Sequence, residues 1–147
     1  MVTLEAVTRD NWYACSQLQL RDSQQGNVAS NAFTIAESKF ESHYHLRAIY
    51  ADGTLTGLLA YCHEDDPLDY ELYWIFRLMI DKQHQRKGIG REAMKLAIAE
   101  IESLGAKRVR TMHKPTNTAA AALYQTLGFH NIGFHDDGDV LLERSLA

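Results

Sequence analysis

The first third of the chain changes from strand to helix periodicity. Residues 2–7 alternate between apolar and polar side chains, which predicts a short strand. Polar residues can then cap a helix over about residues 11–20, and Ser30 or Asn31 can cap a second helix. The apolar positions expected to face the core are Trp12, Cys15 and Leu18 on the first helix and Phe33, Ile35, Ala36 and Phe40 on the second.

The middle of the chain predicts three consecutive strands joined by short connections. Residues 46–50 and 55–63 flank Ala51-Asp52-Gly53-Thr54, whose Asp-Gly pair is a hairpin signal. An acidic loop follows the second of these strands. The third strand, residues 72–80, then ends at a polar turn that contains two glycines.

The last part of the chain predicts two helices, a strand between them and a final hairpin. The helix over residues 88–104 is strongly amphipathic, and residues 107–112 form the strand that follows it. Because a helix joins this strand to the preceding one, the two strands should be parallel. A short helix over residues 117–127 precedes an antiparallel hairpin of residues 129–134 and 140–146. The apolar stripe of the long helix is expected to consist of Ala93, Leu96, Ala97, Ile98 and Ile101.

Composition and charge narrow the class of protein. The 147 residues suit one α/β domain, 1–147, in which a mostly antiparallel sheet contains one central parallel strand pair. A net charge of −4 at pH 7 argues against a nucleic-acid partner. Cys15 and Cys62 lie far apart in apolar contexts, which predicts buried free thiols and a reducing compartment. No segment approaches ~18 uninterrupted apolar residues, so we expect a cytoplasmic protein without a membrane partner.

The segment from Met79 to Arg91 is a candidate anion-binding site. A strand that turns through glycines into a helix directs unpaired backbone N–H groups and the positive end of the helix dipole at one point, which suits a diphosphate. A dinucleotide-binding loop needs three glycines after the first strand of an alternating series, and this turn has two after three strands. A nucleotide-hydrolase loop needs Gly-Lys-Ser/Thr, which the turn lacks.

Two sequence motifs resemble a known family. Gln85-Arg86-Lys87-Gly88-Ile89-Gly90 matches the Gln/Arg-x-x-Gly-x-Gly/Ala signature of the GCN5-related N-acetyltransferases (GNAT superfamily), which holds the diphosphate of acetyl-CoA. Asn117-x-x-Ala120-x-x-Leu123-Tyr124-x-x-x-Gly128-Phe129 resembles a second motif of that family, and the predicted element order matches over the whole chain. The resemblance implies a GNAT-like single domain in which the central parallel strand pair splays between flanking helices.

The resemblance also implies which residues bind acetyl-CoA. The backbone of residues 78–80 would pair with the pantetheine arm, and the amides of residues 85–91 would take the diphosphate. Arg86, Lys87 and Arg91 would add positive charge, although a solvated basic turn is the alternative. The expected acetyl-CoA-binding residues are Leu78, Met79, Ile80, Gln85, Arg86, Lys87, Gly88, Ile89, Gly90, Arg91, Asn117 and Tyr124.

The residue that the resemblance assigns to catalysis is Tyr124. A tyrosine at this place protonates the departing thiolate of CoA, and a phenol with a pKa of about 10 is protonated at neutral pH. Some members of the family carry a glutamate on the strand before the glycine loop, but Trp74 stands there in this chain. Glu71 is the nearest carboxylate and the candidate base, with a water relay as the open alternative. His43 and His45 lack a third ligand, so no metal is expected.

The acceptor is predicted from a narrower resemblance. The first helix and the segments 28–31, 48–50 and 74–81 are similar to bacterial spermine/spermidine acetyltransferases, which implies a polyamine acceptor. Residues 64–71 carry five carboxylates, and clustered carboxylates attract cations. A solvated hairpin loop is the alternative interpretation of this acidic segment. The expected acceptor-binding residues are Glu64, Asp66, Glu71 and Trp74.

These features together predict an acetyl-CoA-dependent N-acetyltransferase. A small-molecule primary amine, a polyamine or diamine, would attack acetyl-CoA directly in a ternary complex. Two alternatives stay open at this point. One is a different amine acceptor, such as an amino acid, an aminoglycoside-like compound or a protein N-terminus. The other is a sensor that binds acyl-CoA without transferring it. The resemblance also raises a homodimer as an expectation.

Overall fold

The computed structural model describes residues 1–146, which form one mixed sheet with helices on both faces. The strands are β1 (Val2–Ala6), β2 (His45–Ala51), β3 (Thr54–Asp65), β4 (Leu68–Ile80), β5 (Arg108–His113), β6 (His130–Phe134) and β7 (Val140–Ser145). The helices are α1 (Trp12–Gln17), α2 (Asn31–Phe40), α3 (Ile89–Ser103) and α4 (Thr118–Thr126), with a short 3-10 helix at Asp22–Gln24. The predicted order of strands and α-helices is confirmed.

The sheet has the predicted topology. Its seven strands follow the order β1-β2-β3-β4-β5-β7-β6, and the described strands pair antiparallel except for β4 with β5. The parallel register runs only from Leu72 opposite Arg108 to Trp74 opposite Arg110. Beyond Trp74 the two strands separate, so the expected splayed pair at the centre of the sheet is confirmed.

The prediction of an acidic loop between the second and third of the central strands is wrong. β3 continues to Asp65 and β4 begins at Leu68, so Asp66-Pro67 alone forms the turn. Backbone pairing of Glu64 with Asp69 and of Asp65 with Leu68 extends the hairpin through the acidic residues. The acidic residues therefore form strands despite their polarity. Their backbone N–H and C=O groups are hydrogen-bonded between β3 and β4, and their carboxylates can extend into solvent.

Helix α1 ends three residues before the predicted end. The residues after α1 are hydrogen-bonded to the turn that follows β4. The Gln19 N–H donates to Asp81 Oδ1 at 2.9 Å, and the Lys82 N–H donates to the Gln19 carbonyl at 2.7 Å. These tertiary hydrogen bonds replace helical ones. The segment that follows α1 is therefore extended and lies against the end of β4.

The sheet carries an apolar core on each face. The larger core packs α3 and α4 against residues such as Leu59, Tyr61 and Ile75, and the smaller one contains Cys15, Leu58 and Met79. Five residues predicted to face the core are exposed instead, with Phe40 at 86% exposure. Each lies on the outward side of its helix once packing fixes the rotation of that helix. The five exposed residues are Trp12, Phe33, Ala36, Phe40 and Leu96, and Met94 takes the buried place on α3.

Both cysteines are buried free thiols, as predicted. Burial raises the pKa of the Cys15 thiol. Burial, together with the nearby carboxylates of Asp65 and Glu64, raises the pKa of Cys62 to about 12. No described helix is long and apolar enough to cross a membrane.

Neither thiol is expected to react with an aromatic disulfide reagent in the folded protein at about pH 8, because the reactive thiolate is disfavoured at both sites. Both should react after unfolding in guanidinium chloride. Absorbance at the wavelength of the released thiolate measures the number of reactive groups before and after unfolding. A rapidly reacting thiol in the folded protein would contradict the burial of these side chains.

Candidate active site

The opened strand pair leaves one edge of β4 free beside β5. Thr111 Oγ1 on β5 donates to the Ile75 carbonyl at 2.8 Å and closes the base of the gap. A register shift in the β3–β4 ladder leaves Phe76 without an opposing residue, which is a β-bulge. The backbone from Arg77 to Ile80 pairs with β3 on one side, and its other side has no strand partner among the described residues. An extended amide-bearing molecule can add to such an edge as an extra strand.

The turn between β4 and α3 forms a cradle of backbone amides. Arg86 and Gly88 both have left-handed backbone conformations, with φ of 63° and 77°. Alternation of left- and right-handed residues directs successive N–H groups into one concavity that suits an anion. Gly88 is the N-cap of α3 and supplies no capping side chain, so the first amides of the helix add to this cradle.

A cleft of about 850 Å³ runs from this cradle along the free edge of β4 to α4. It brings together all but one of the residues expected to bind acetyl-CoA. The exception is Lys87, which is exposed and does not line the cleft. The expected residues that do line it are Leu78, Met79, Ile80, Gln85, Arg86, Gly88, Ile89, Gly90, Arg91, Asn117 and Tyr124.

The side chain of Gln85 builds the wall of the cleft. Its Nε2 donates to the Ile80 carbonyl at 2.9 Å and to Gln24 Oε1 at 2.7 Å, while Gln24 Nε2 donates to Gln85 Oε1 at 3.0 Å. This reciprocal amide pair ties the segment after α1 to the glycine loop. Residues 26–29 of that segment consequently line the cleft as well, which the sequence did not indicate. Only the backbone amide of Gln85 is left for an anion.

Helix α4 carries the other two predicted residues. Asn117 Oδ1 accepts from the Ala120 N–H at 3.2 Å, which confirms the predicted helix cap. Tyr124 lines the cleft but is only 6% exposed. Burial raises the pKa of its phenol, and a hydrogen bond with Thr111 opposes that rise in part. The phenol is therefore protonated at neutral pH and can serve as an acid.

A second cavity of about 410 Å³ adjoins the cleft. The two share Phe76, Arg77 and Met112, which mark the junction between them. Three carboxylates line the second cavity, together with three histidines, Arg77 and three rings of tyrosine, tryptophan or phenylalanine. The carboxylates belong to Glu37, Glu64 and Asp65, and the rings to Tyr44, Trp74 and Phe76.

Two of these carboxylates have basic partners and one does not. Glu37 Oε1 lies 3.5 Å from Arg77 Nη2, and Asp65 Oδ2 lies 3.3 Å from His43 Nε2. Glu64 instead accepts from two neutral donors, Trp74 Nε1 at 2.6 Å and the Asp66 N–H at 3.3 Å. Among residues 1–146, Glu64 thus has no cationic partner. Its carboxylate is held in place and remains available to a bound cation.

The structure corrects the expected roles of Asp66 and Glu71. Asp66 lies exposed in the β3–β4 turn and lines neither cavity. Glu71 is exposed near the start of β4, seven residues before Leu78, which corresponds to about 23 Å along an extended strand. Glu71 lines neither the cleft nor the second cavity, so the geometry does not support its expected role as a base. Glu64 and Trp74, by contrast, both line the second cavity.

Sequence reasoning missed several cleft residues. His113 follows Val109 and Thr111 at a period of two on β5, so the strand pattern alone could have placed it on their face. Glu37 and Arg77 meet across α2 and β4, and no local sequence signal predicts that contact. Within the described chain, no group of three histidine, cysteine or acidic side chains is arranged to hold a metal ion.

Comparison with known proteins identifies the family of the chain. The profile of the acetyltransferase (GNAT) family matches residues 9–129. The spermine/spermidine N(1)-acetyltransferase of Bacillus subtilis (strain 168) is 27% identical over 151 residues, covering 99% of each chain. The ribosomal protein bS18-alanine N-acetyltransferase of Escherichia coli (strain K12) is 30% identical over 102 residues, covering 69% of this chain and 68% of that protein.

A solved structure shows the same fold. The aminoglycoside acetyltransferase AAC(6')-Ib in complex with coenzyme A superposes with a TM-score of 0.81 at 15% identity, covering 99% of this chain and 95% of that one. The opened strand pair, the glycine loop at the start of α3 and the family profile over most of the sequence lead to one conclusion: the chain belongs to the acetyltransferase (GNAT) family and is an acetyl-CoA-dependent N-acetyltransferase.

Proposed function

We propose that the protein acetylates a primary amine of a polyamine or diamine by direct attack on acetyl-CoA in a ternary complex. The main support is the acidic second cavity that opens into the cleft at Phe76, Arg77 and Met112. A second cavity at the opened strand pair gives the acceptor its own place beside the donor. Two of its three carboxylates have basic partners, and the third, Glu64, is free to pair with a second positive charge on the acceptor.

Acetyl-CoA occupies the cleft in this proposal. The free edge of β4 from Leu78 to Ile80 hydrogen-bonds the amide groups of the pantetheine arm. The diphosphate lies in the amide cradle at the start of α3, where the helix dipole favours negative charge. Arg86 and Arg91 line the cleft close to that cradle and add positive charge. The thioester then points towards Tyr124 and the junction with the second cavity.

The acceptor occupies the second cavity with one end at the junction. Glu64 takes a distal ammonium group, because its carboxylate is fixed by Trp74 and has no cationic partner. The methylene chain of a polyamine lies along the ring of Phe76, which packs 4.6 Å from the Tyr44 ring between centroids. Charge at one end and apolar surface along the middle match the chemistry of a diamine.

Acetyl transfer forms one bond and breaks another. The neutral amine nitrogen attacks the thioester carbonyl, a C–N bond forms, and the C–S bond breaks with its electron pair on sulfur. Tyr124 donates its phenolic proton to that sulfur, and the amine nitrogen releases one proton. An alkylamine has a pKa of about 10, so only a small fraction of the acceptor is neutral at neutral pH. The reaction should therefore become faster as pH rises.

The relatives support an amine acceptor and leave its class to experiment. The Bacillus subtilis relative acts on spermine and spermidine, whereas the Escherichia coli relative acts on an alanine of a ribosomal protein. A panel of spermidine, spermine, putrescine, amino acids, an aminoglycoside and an alanine-terminated peptide separates these possibilities when release of the CoA thiol is followed. We expect the three polyamines to give the highest kcat/KM. Turnover of the peptide or of amino acids without turnover of any polyamine would overturn the polyamine proposal and leave acetyl transfer intact.

The change Glu64→Gln is expected to raise the KM for spermidine about five- to tenfold, because it removes the charge but keeps the shape of the side chain. The effect on kcat should be smaller, since Glu64 contacts the distal end of the acceptor. Steady-state kinetics over a range of spermidine concentrations measure both parameters.

Two controls sharpen this experiment. Asp66→Asn removes an adjacent charge that lines neither cavity and should leave the KM within about twofold, the range of a screened surface charge. Butylamine, which has no distal ammonium group, should be acetylated equally by the wild type and by Glu64→Gln. An unchanged KM for spermidine in Glu64→Gln would place the acceptor elsewhere.

A further inference from the structure

A histidine lies beside the proposed acid. His113 is the last residue of β5, only 9% exposed, and it lines the cleft. Its ring centroid lies 6.3 Å from that of Tyr124, with an interplanar angle of 37°. Burial of a histidine against the single tyrosine that lines the cleft places two proton-exchanging groups together at the opened end of the strand pair.

The hydrogen bonding of His113 determines which of its nitrogens is free. Nδ1 lies 2.8 Å from the carbonyl oxygen of Lys114. A carbonyl oxygen can only accept, so Nδ1 carries the proton and Nε2 of the neutral ring keeps its lone pair. Nε2 has no hydrogen-bond partner within residues 1–146. The backbone thus orients the ring and leaves one proton-accepting nitrogen for the cleft.

Other charged and polar groups surround His113 in the cleft. Asp137 and Asp139 belong to the turn between β6 and β7 and lie at the rim of the cleft. Lys114 follows His113, and Arg77 faces the junction from β4; both are cations and accept no proton. Tyr124 on α4 and Thr111 on β5 supply hydroxyl groups. The described cleft therefore holds no buried carboxylate beside the phenol.

We propose that His113 exchanges protons with Tyr124 and so restores the phenol after each acetyl transfer; this rests on the proposed role of Tyr124 as acid. The amine nitrogen releases a proton when the C–N bond forms, and Nε2 of His113 accepts it directly or through water. Tyr124 gives its own proton to the CoA sulfur and becomes a phenolate. The histidinium then returns its proton to the phenolate. The products are the amide and the CoA thiol, and both side chains regain their starting protonation states.

A double-mutant cycle with chemical rescue tests this role. His113→Ala is expected to lower kcat about 100-fold, the lower end of the effect of a positioned proton acceptor. Binding of CoA, measured by calorimetry, should change little. Added imidazole should restore part of the lost rate by entering the space that the ring vacates. The double variant His113→Ala/Tyr124→Phe should lose less activity than the product of the two single losses, because the return of the proton by His113 requires the phenol.

Controls separate this proposal from a packing role. His130→Ala, on the exposed face of β6, should keep the wild-type rate and should not respond to imidazole. If His113→Ala does not fold, His113→Gln provides the same cycle, because glutamine can still donate to the Lys114 carbonyl. Additive losses in the double variant, or no response of His113→Ala to imidazole, would overturn the proposal. A slow Tyr124→Phe with a fully active His113 variant would overturn this inference alone, whereas a fully active Tyr124→Phe would overturn the acid role as well.

Discussion

Tyr124→Phe is expected to lower kcat about 10²- to 10³-fold at neutral pH, because the CoA thiolate then departs without a positioned acid. The substitution removes one oxygen and keeps the ring. The ring packs 5.9 Å from Phe129 and 6.3 Å from His113 between centroids, and these contacts remain in the variant. The affinity for CoA and the melting temperature should therefore change little.

The pH dependence of the wild type gives an independent check. Because burial raises the pKa of Tyr124 above its usual value, the phenol keeps its proton as pH rises from 7 to about 10. The fraction of neutral amine increases over the same range. The rate should therefore rise towards pH 10 without a downturn from loss of the acid. The rate of CoA thiol release, with both substrates saturating, measures this profile.

An unchanged kcat in Tyr124→Phe would contradict the acid role of Tyr124. If Tyr124→Phe keeps the wild-type kcat, the CoA thiolate leaves without help from this phenol, and Tyr124 is a packing residue. Its burial between α4 and the sheet would then be sufficient reason for its presence. Tyr61 is a suitable comparison, because it is another buried tyrosine of the same core that does not line the cleft. Tyr61→Phe should therefore leave kcat unchanged.

Gly57→Ala is expected to lower the free energy of unfolding by about 2–3 kcal/mol, the range for overpacking a rigid site. A methyl group at Gly57 would press against the Met79 carbonyl oxygen and lie 3.0 Å from Ile80 Cδ1. The Met79 oxygen belongs to the backbone, so no side-chain rotation relieves the contact. Gly57 pairs with Ile80 in the β3–β4 ladder, and β4 must shift where it borders the cleft. We therefore also expect weaker binding of acetyl-CoA.

Gly90→Ala is the matched control for this prediction. A methyl group at Gly90 would meet Ile80 Cγ1 at 3.6 Å and Leu123 Cδ2 at 3.9 Å, which are ordinary contacts. Gly90 lies in the first turn of α3, where alanine stabilises a helix by about 0.5–1 kcal/mol relative to glycine. The fold should therefore tolerate this change. A loss of CoA affinity in Gly90→Ala would then report close approach of the diphosphate to this backbone.

Urea denaturation of the wild type, Gly57→Ala and Gly90→Ala measures their free energies of unfolding. Calorimetric titration with CoA measures the affinity of each protein for CoA. The prediction requires Gly57→Ala to unfold at clearly lower urea than the wild type and Gly90→Ala at similar or higher urea. Equal stability of Gly57→Ala and the wild type would show that β3 and β4 can separate without cost at this point.

The element order and the donor side of the site were predictable from sequence because both depend on neighbouring residues. Periods of 2 and 3.6 residues identified every strand and α-helix in order. The glycine loop from Gln85 to Gly90 presents consecutive backbone amides to the cleft, so its position in the sequence is also its position in space. Asn117 likewise caps the helix that it precedes.

Element ends and helix rotations were less predictable. The β3–β4 hairpin extends through acidic residues because its backbone groups pair, and α1 is shortened by hydrogen bonds from beyond β4. The outward position of Phe40 depends on how α2 packs against the sheet. These features follow from contacts between distant segments, for which local periodicity carries no information.

The sequence by itself determined the family fold, the glycine loop and the tyrosine on α4. The tertiary structure alone decided what lines the second cavity. Glu37, Glu64, Arg77 and Met112 come from four different elements, and they meet because α2 packs over the sheet where β4 and β5 separate. His113 likewise lies beside Tyr124 through packing between β5 and α4, and Glu71 lines neither cavity. A cradle of backbone amides is formed by adjacent residues, so the local sequence is enough to predict it. A cavity between elements depends on core packing, which sets the distance between those elements and the rotation of each helix.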